Sequence, residues 1–109
     1  MTQPTEYIKL KEVNLQLIIQ KIKDFFAKDG RISKAWLFGS FARRENNFES
    51  DIDLMIRFNN PEGISLFDYA DITYLLSEAL NIKVDLVEEG YLIPSAWETA
   101  KNDLVLIYE

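Results

Sequence analysis

Two aspartates, Asp51 and Asp53, stand one residue apart in "SDIDLMI", and ten residues, Phe41 to Ser50, separate them from the dipeptide Gly39-Ser40. On a strand rising about 3.3 Å per residue their Cβ atoms share one face, roughly 6 to 7 Å apart. Carboxylates at that spacing repel unless a cation lies between them. Two-metal phosphoryl or nucleotidyl transfer uses ions about 3.5 to 4 Å apart, one activating the attacking oxygen and one holding the leaving group, and the pair fits that demand. Magnesium suits such a site because it takes few protein carboxylates and completes its octahedron with water and substrate phosphates.

The surrounding residues supply the complementary parts. Glycine at position 39 permits close backbone approach, and exposed N–H groups with the Ser40 hydroxyl can bind a phosphate. Arg43 and Arg44 offer charge-assisted bonds to the same phosphates, or are solvated loop charges. A third acid, Asp85 in "IKVDLV", completes a metal site or pairs with Lys83. The chain has no cysteine and no histidine, which excludes thiol nucleophiles, imidazole catalysis, disulfides and Cys/His zinc sites. Its net charge of -6, from 18 acidic and 12 basic residues, repels duplex nucleic acid, so no nucleic acid polymer is expected as partner.

These side chains need elements to position them. Leu15, Ile18, Ile22 and Phe25 recur at helical steps between about Glu6 and Lys28, and Asp29-Gly30 stops that helix. "KAWLFG" reads as a buried strand running into a tight Gly-Ser turn. In "SDIDLMIRF", Ile52, Leu54, Ile56 and Phe58 point one way and Asp51, Asp53, Met55 and Arg57 the other. "NNPEG" is a turn, and Tyr69, Ile72, Leu76 and Ala79 mark a second helix from roughly Ser65 to Leu80. The "IKVDLV" strand sets Ile82, Val84 and Leu86 toward the core and Lys83, Asp85 and Val87 opposite. Pro94 opens a short helix, and an apolar run from Leu104 to Tyr108 ends the chain.

The order helix, strand, strand, helix, strand, short helix implies an α+β (α/β-like) domain, a small mixed sheet with helices packed on one face and Asp51, Asp53 and Asp85 on the other. With 109 residues, 48% of them apolar, a single domain over residues 1–109 is expected. The N-terminus lacks a targeting signal and no stretch approaches the roughly 18 apolar residues of a membrane span, so the expectation is a cytoplasmic protein without a membrane partner.

Gly39-Ser40, the ten-residue interval, Asp51-Ile52-Asp53 and the later strand acid Asp85 together resemble the DNA polymerase β-type nucleotidyltransferase superfamily, specifically its minimal, or MNT-type, members. The likeness extends over most of the chain and implies the nucleotidyltransferase fold. It implies that Asp51 and Asp53 bind both of two Mg2+ ions, that Asp85 completes the site of the acceptor-activating ion and acts as general base, and that Gly39 and Ser40 hold the triphosphate of ATP. After "GSFAR" the family often has glycine where this chain has Arg44, which leaves open which arginine meets phosphate.

Minimal nucleotidyltransferases commonly act with a separate helical HEPN protein, often a toxic ribonuclease, as the antitoxin of a toxin-antitoxin system. The resemblance therefore implies transfer of AMP from ATP to a hydroxyl of that partner, such as a tyrosine; an oligomer is compatible with it. The alternatives are a nucleotide-binding antitoxin that neutralises by complex formation without catalysis, and a transferase acting on a small molecule such as an aminoglycoside. Elsewhere the blander readings prevail: Asp68 and Asp71 as a helix's polar face, Glu88 and Glu89 as loop charges, Trp36 as core packing, and Tyr91 and Trp97 as core packing with a partner surface as the alternative.

Overall fold

The structure, a computed structural model, describes residues 5–109, with side chains described from Asn14 onward. The first four residues, part of the segment read above for a targeting signal, lie outside the described residues. Helix α1 (Thr5–Asp29) turns Ile22 and Phe26 fully into the core, flanked by Leu15, Ile18, Ile19 and Phe25. It stops at Gly30, whose φ of 81° is the left-handed conformation that costs an L side chain most, and whose N–H donates to the Phe26 carbonyl at 3.1 Å.

Strand β1 (Ile32–Phe38) runs into a short helix α2 (Gly39–Arg43), followed by β2 (Ile52–Phe58), a 3-10 turn over Pro61–Gly63, α3 (Leu66–Leu80), β3 (Val84–Glu88), α4 (Pro94–Ala100) and β4 (Val105–Tyr108). Two of these elements go beyond the sequence expectation. The Gly-Ser "turn" is the first turn of α2, and the terminal apolar run is a fourth strand. Helix α3 begins at a capping box: the Ser65 hydroxyl accepts the Asp68 N–H at 3.2 Å, and the Asp68 carboxylate accepts the Ser65 N–H at 3.0 Å. Its buried stripe is Ile72, Leu76 and Leu80, so Leu80 takes the place expected for Ala79, which is exposed.

The sheet order is β3-β2-β1-β4, with β1 antiparallel to both neighbours and β2 parallel to β3. Ala35, Leu37, Ile52, Leu54, Ile56, Phe58, Val84 and Ile107 face α1 and α3 and form one core. Burial of each large aliphatic side chain there contributes on the order of 2 kcal/mol. Arg31 ties the end of α1 to the start of α3, bonding Asp29 at 2.7 Å, Asp68 at 3.1 Å and Asp71 at 2.9 Å. Asp68 and Asp71 thus form an inter-helix clasp, which is more than the solvated helix face expected of them. The arginine holds both Asp29 and Asp68 below the usual carboxylate range, although the Ser65 cap acts first on Asp68.

Since β3 and β4 are opposite edges, the chain joining them must cross the sheet. It crosses on the face that carries Asp53: Met55, two residues further along that face, lines one cavity with Trp97 of α4. The helices α1 and α3 therefore share one face, as the alternation predicts, while α4 lies over the other. Trp36 pairs with Met55 on this second face, only partly buried, with Lys34 Nζ 5.3 Å and the Arg57 guanidinium 5.6 Å from its ring centre. It is a cation–π platform, contrary to the core role expected. In "KAWLF" the near-continuous apolar run conceals which residues alternate inward.

Candidate active site

The site is built around the C-terminal end of β1, the N-terminal end of β2 and β3. Asp53 pairs laterally with Phe38 of β1 on one side and with Asp85 of β3 on the other. Neighbouring strands stand about 4.8 Å apart, so Asp53 and Asp85 project side by side from one face. Asp51 lies just before β2, on the irregular chain that enters it, near enough that one Lys83 ammonium reaches both it and Asp85 and that its charge acts on Asp53. That entry is fixed by the Ile52 N–H donating to the Lys83 carbonyl at 2.9 Å, and upstream by a tight turn in which Asn47 N–H donates to Ser50 Oγ at 2.9 Å.

Gly39 is required twice over. Its φ of 75° is left-handed, and a Cβ built there would collide with the Asp53 carboxylate. The backbone at the start of α2 thus lies directly against one acid. Ser40 follows in the first turn, where backbone N–H groups lack partners within the helix and can donate to an anion. Phe41, buried, anchors α2 in the core. Arg44 caps α2 in the left-handed conformation, φ 61° and ψ 31°, so the chain turns as a glycine would at that position.

Electrostatics bind these groups together. Burial first, then Asp85, then Asp51, push the Asp53 carboxyl above the ordinary aspartate range, while Arg43 opposes them. Arg43 itself donates to Asp103 Oδ2 at 2.6 Å and Glu45 Oε2 at 3.1 Å, and stays close enough to bias Asp53. Lys83 reaches over the same face, its Nζ 3.7 Å from Asp51 Oδ2 and 4.0 Å from Asp85 Oδ1.

Among the described residues, no three acid side chains already converge as a closed metal cage. Magnesium does not require one, because water and substrate phosphates fill most of its shell. The residues fit such ions: three carboxylates lie close together, burial and then their repulsion raise one of them, and Gly39 opens space beside it. An acid cluster with adjacent N–H donors can hold cations bound to an anionic chain of phosphates.

Asp51, Asp53, Asp85, Gly39 and Ser40 are thus brought together at one sheet end. Arg43 borders them, held by Asp103, and Arg44 lies one residue further on. Three features were missed in the sequence. Asp103 is 60 residues from Arg43, and no local pattern joins them. The sequence reading allows for a pairing of Lys83 with Asp85 but not for its reach to Asp51 as well, although Lys83 shares their parity. The third is a cavity of about 410 Å³ between Met55, Glu89, Gly90, Leu92, Pro94 and Trp97. Tyr91 (74% exposed) and Trp97 (38%) flank it at the surface, which corrects the core role expected of both. Glu89 is a partner of Arg57, at 2.8 and 3.0 Å, and Glu88 ends β3, so neither is a simple loop charge.

Comparison with known proteins agrees with this geometry. The family model described as "Polymerase beta, Nucleotidyltransferase" matches residues 20–108. The Methanocaldococcus jannaschii protein named "Putative protein adenylyltransferase MJ0435" is 34% identical over 93 residues, covering 85% of this chain and 97% of that protein. The structure of a "putative minimal nucleotidyltransferase" is 28% identical with a TM-score of 0.57, covering 94% of this chain and 95% of that one. A crystal structure of a toxin-antitoxin with AMP-PNP shares the fold, with a TM-score of 0.69 at 19% identity over 83% of this chain and 72% of that one. With the acid-bearing sheet face, the glycine against Asp53 and a match over most of its length, this chain belongs to the polymerase β-type nucleotidyltransferases, among their minimal members.

Proposed function

We propose that the protein is a magnesium-dependent enzyme that transfers AMP from ATP to a hydroxyl of a partner protein, a helical toxin of the HEPN type, and so acts as its antitoxin. The observation that carries this reading is the register of β2 and β3. It sets Asp53 beside Asp85 on an open face, with Asp51 next along it and the Gly39 backbone against Asp53. The nucleotide and the class of acceptor are supported by the relatives, of which one is named for protein adenylylation and another was crystallised with AMP-PNP.

Magnesium ions bound there would neutralise the triphosphate and lower the pKa of the accepting hydroxyl. Asp51 and Asp53 would hold the ions, and Asp85 would complete the set and take the hydroxyl proton. The N–H groups at Gly39 and Ser40, with the Ser40 hydroxyl, bind the phosphates being released. The acceptor oxygen forms a bond to the α-phosphorus as the bond to the β-phosphate oxygen breaks. AMP stays on the acceptor and pyrophosphate leaves.

A protein acceptor is favoured by the exposed Tyr91, Ile93 and Trp97, of which Trp97 lines a cavity with Met55 on the sheet face that carries Asp53, and which a partner surface would cover. The same patch supports the second reading, neutralisation by binding alone. One experiment separates them. Asp51→Asn with Asp53→Asn removes two ligands with near-isosteric side chains, so the fold and the partner surface survive. The double variant should still bind the toxin but leave it without the AMP mass increment seen with wild type. Full protection of cells by this variant at matched expression would overturn the catalytic reading in favour of the binding one.

A further inference from the structure

The acid cluster already contains a cation belonging to the chain. Lys83 is anchored by its backbone, through its carbonyl and the Ile52 N–H, at the point where β2 and β3 begin to pair. Its side chain, 71% exposed, extends over the acid face so that one ammonium group spans Asp51 and Asp85, at 3.7 and 4.0 Å. Arg43, which lies close enough to bias Asp53, is turned toward Asp103 and Glu45. A magnesium ion needs its carboxylate oxygens at about 2.0 to 2.1 Å. An ion drawing on both Asp51 and Asp85 would therefore compete with the ammonium for the carboxylate oxygens it now spans.

We propose that Lys83 is an internal counter-ion that competes with the metal for Asp51 and Asp85, so that the ion binds well only when a triphosphate is present to receive the displaced ammonium. The inference rests on the nucleotidyltransferase reading of the site. The lysine's exposed stem lets the head group swing away while its backbone stays fixed, and phosphate oxygens arriving at Ser40 and Gly39 give it new anionic neighbours. Lys83 is in this sense a positioning residue that makes metal loading conditional on nucleotide.

The test titrates manganese, counted as free ion by electron paramagnetic resonance, into wild type, Lys83→Met and Lys83→Arg, with and without AMP-PNP. Losing two exposed ion pairs, together about 0.4 to 2 kcal/mol, should tighten binding of manganese alone about two- to thirtyfold in Lys83→Met. Lys83→Arg, which keeps the charge, should stay near wild type. With AMP-PNP the advantage of Lys83→Met should shrink or reverse. Lys83→Gln repeats the measurement should the methionine variant melt early. Manganese binding by Lys83→Met and Lys83→Gln equal to or weaker than wild type would overturn the proposal. The Asp51→Asn, Asp53→Asn double variant separates the two levels. If it binds manganese with AMP-PNP as wild type does, the reading of the site fails and the lysine's role with it. If it loses binding while the Lys83 variants match wild type, only the lysine's role fails.

Discussion

Replacing Gly39 with alanine tests the tightest contact of the site, and its cost divides into two separable parts. A left-handed φ of 75° costs an L residue about 1 to 2 kcal/mol. The added methyl also meets the Asp53 carboxylate, whose Cγ would lie 3.1 Å away, so that side chain must leave its rotamer for about 0.5 to 1.5 kcal/mol more. The expected loss is ~2 to 3 kcal/mol, a fall in Tm of about 10 to 20 °C for a domain of this size. Urea unfolding followed by circular dichroism measures it. In an Asp53→Ala background the colliding carboxylate is gone, and the φ penalty remains with a Cβ approach of 3.3 Å. Gly39→Ala should then cost ~1 kcal/mol less than in wild type, which is a coupling of the size that contacting residues show. Equal costs in the two backgrounds would refute the close approach of backbone and carboxylate. A cost below about 0.5 kcal/mol in wild type would refute the left-handed turn itself.

Asp53→Asn should raise the Tm of the metal-free protein at neutral pH while abolishing AMP transfer. Asp53 is raised above its ordinary pKa in the fold, so the folded state holds that proton more tightly than the unfolded chain. Its charge therefore destabilises once pH rises through the folded value, and the advantage of the asparagine should disappear as pH falls toward the ordinary aspartate value of 3.8. An advantage that persists or grows on acidification, in paired melts, would contradict this assignment. Arg44→Gly should be more stable than Arg44→Ala, since both lose the side chain and only glycine relieves the left-handed φ, by about 1 to 2 kcal/mol less the roughly 0.5 to 1 by which glycine frees the unfolded chain. A Tm about 2 to 4 °C higher for Arg44→Gly than for Arg44→Ala is expected, and equal melting of the two would refute the left-handed cap.

Much of this arrangement was legible because period-2 alternation is a strong signal when one face is buried. It placed Ile52, Leu54, Ile56 and Phe58 inward and Asp53 outward, and it set Asp85 on the matching face of a second strand. The interval from Gly39-Ser40 to the acids did the rest. What failed was short or long-range. Five residues of α2 show no periodicity to detect, and the apolar character of "KAWLF" hid the parity of Trp36. Arg43 finds Asp103 only after β4 has joined β1, and the exposure of Tyr91 and Trp97 depends on where α4 crosses the sheet. Tertiary placement decided each of these, and composition offers no substitute for it.

The pairing of β2 with β3 has a consequence for how errors in folding are caught. A slip of β3 by one residue would turn Asp85 into the apolar layer and expose Val84, so the packing that stabilises the protein also rejects a misaligned acid-bearing face. A slip by two residues preserves the alternation and would escape that check, leaving Asp85 displaced from Asp53 by roughly 6 to 7 Å. Three hydrogen bonds guard against it: the Ile52 N–H to the Lys83 carbonyl, the Val84 N–H to Ser77 Oγ, and the Tyr69 hydroxyl to the Leu86 carbonyl. Proofreading is thus shared, with greasy side chains excluding odd registers and a few polar anchors from α3 and β2 excluding even ones. A destabilised variant lacking Ser77 and Tyr69 hydroxyls could remain folded and yet be catalytically out of frame.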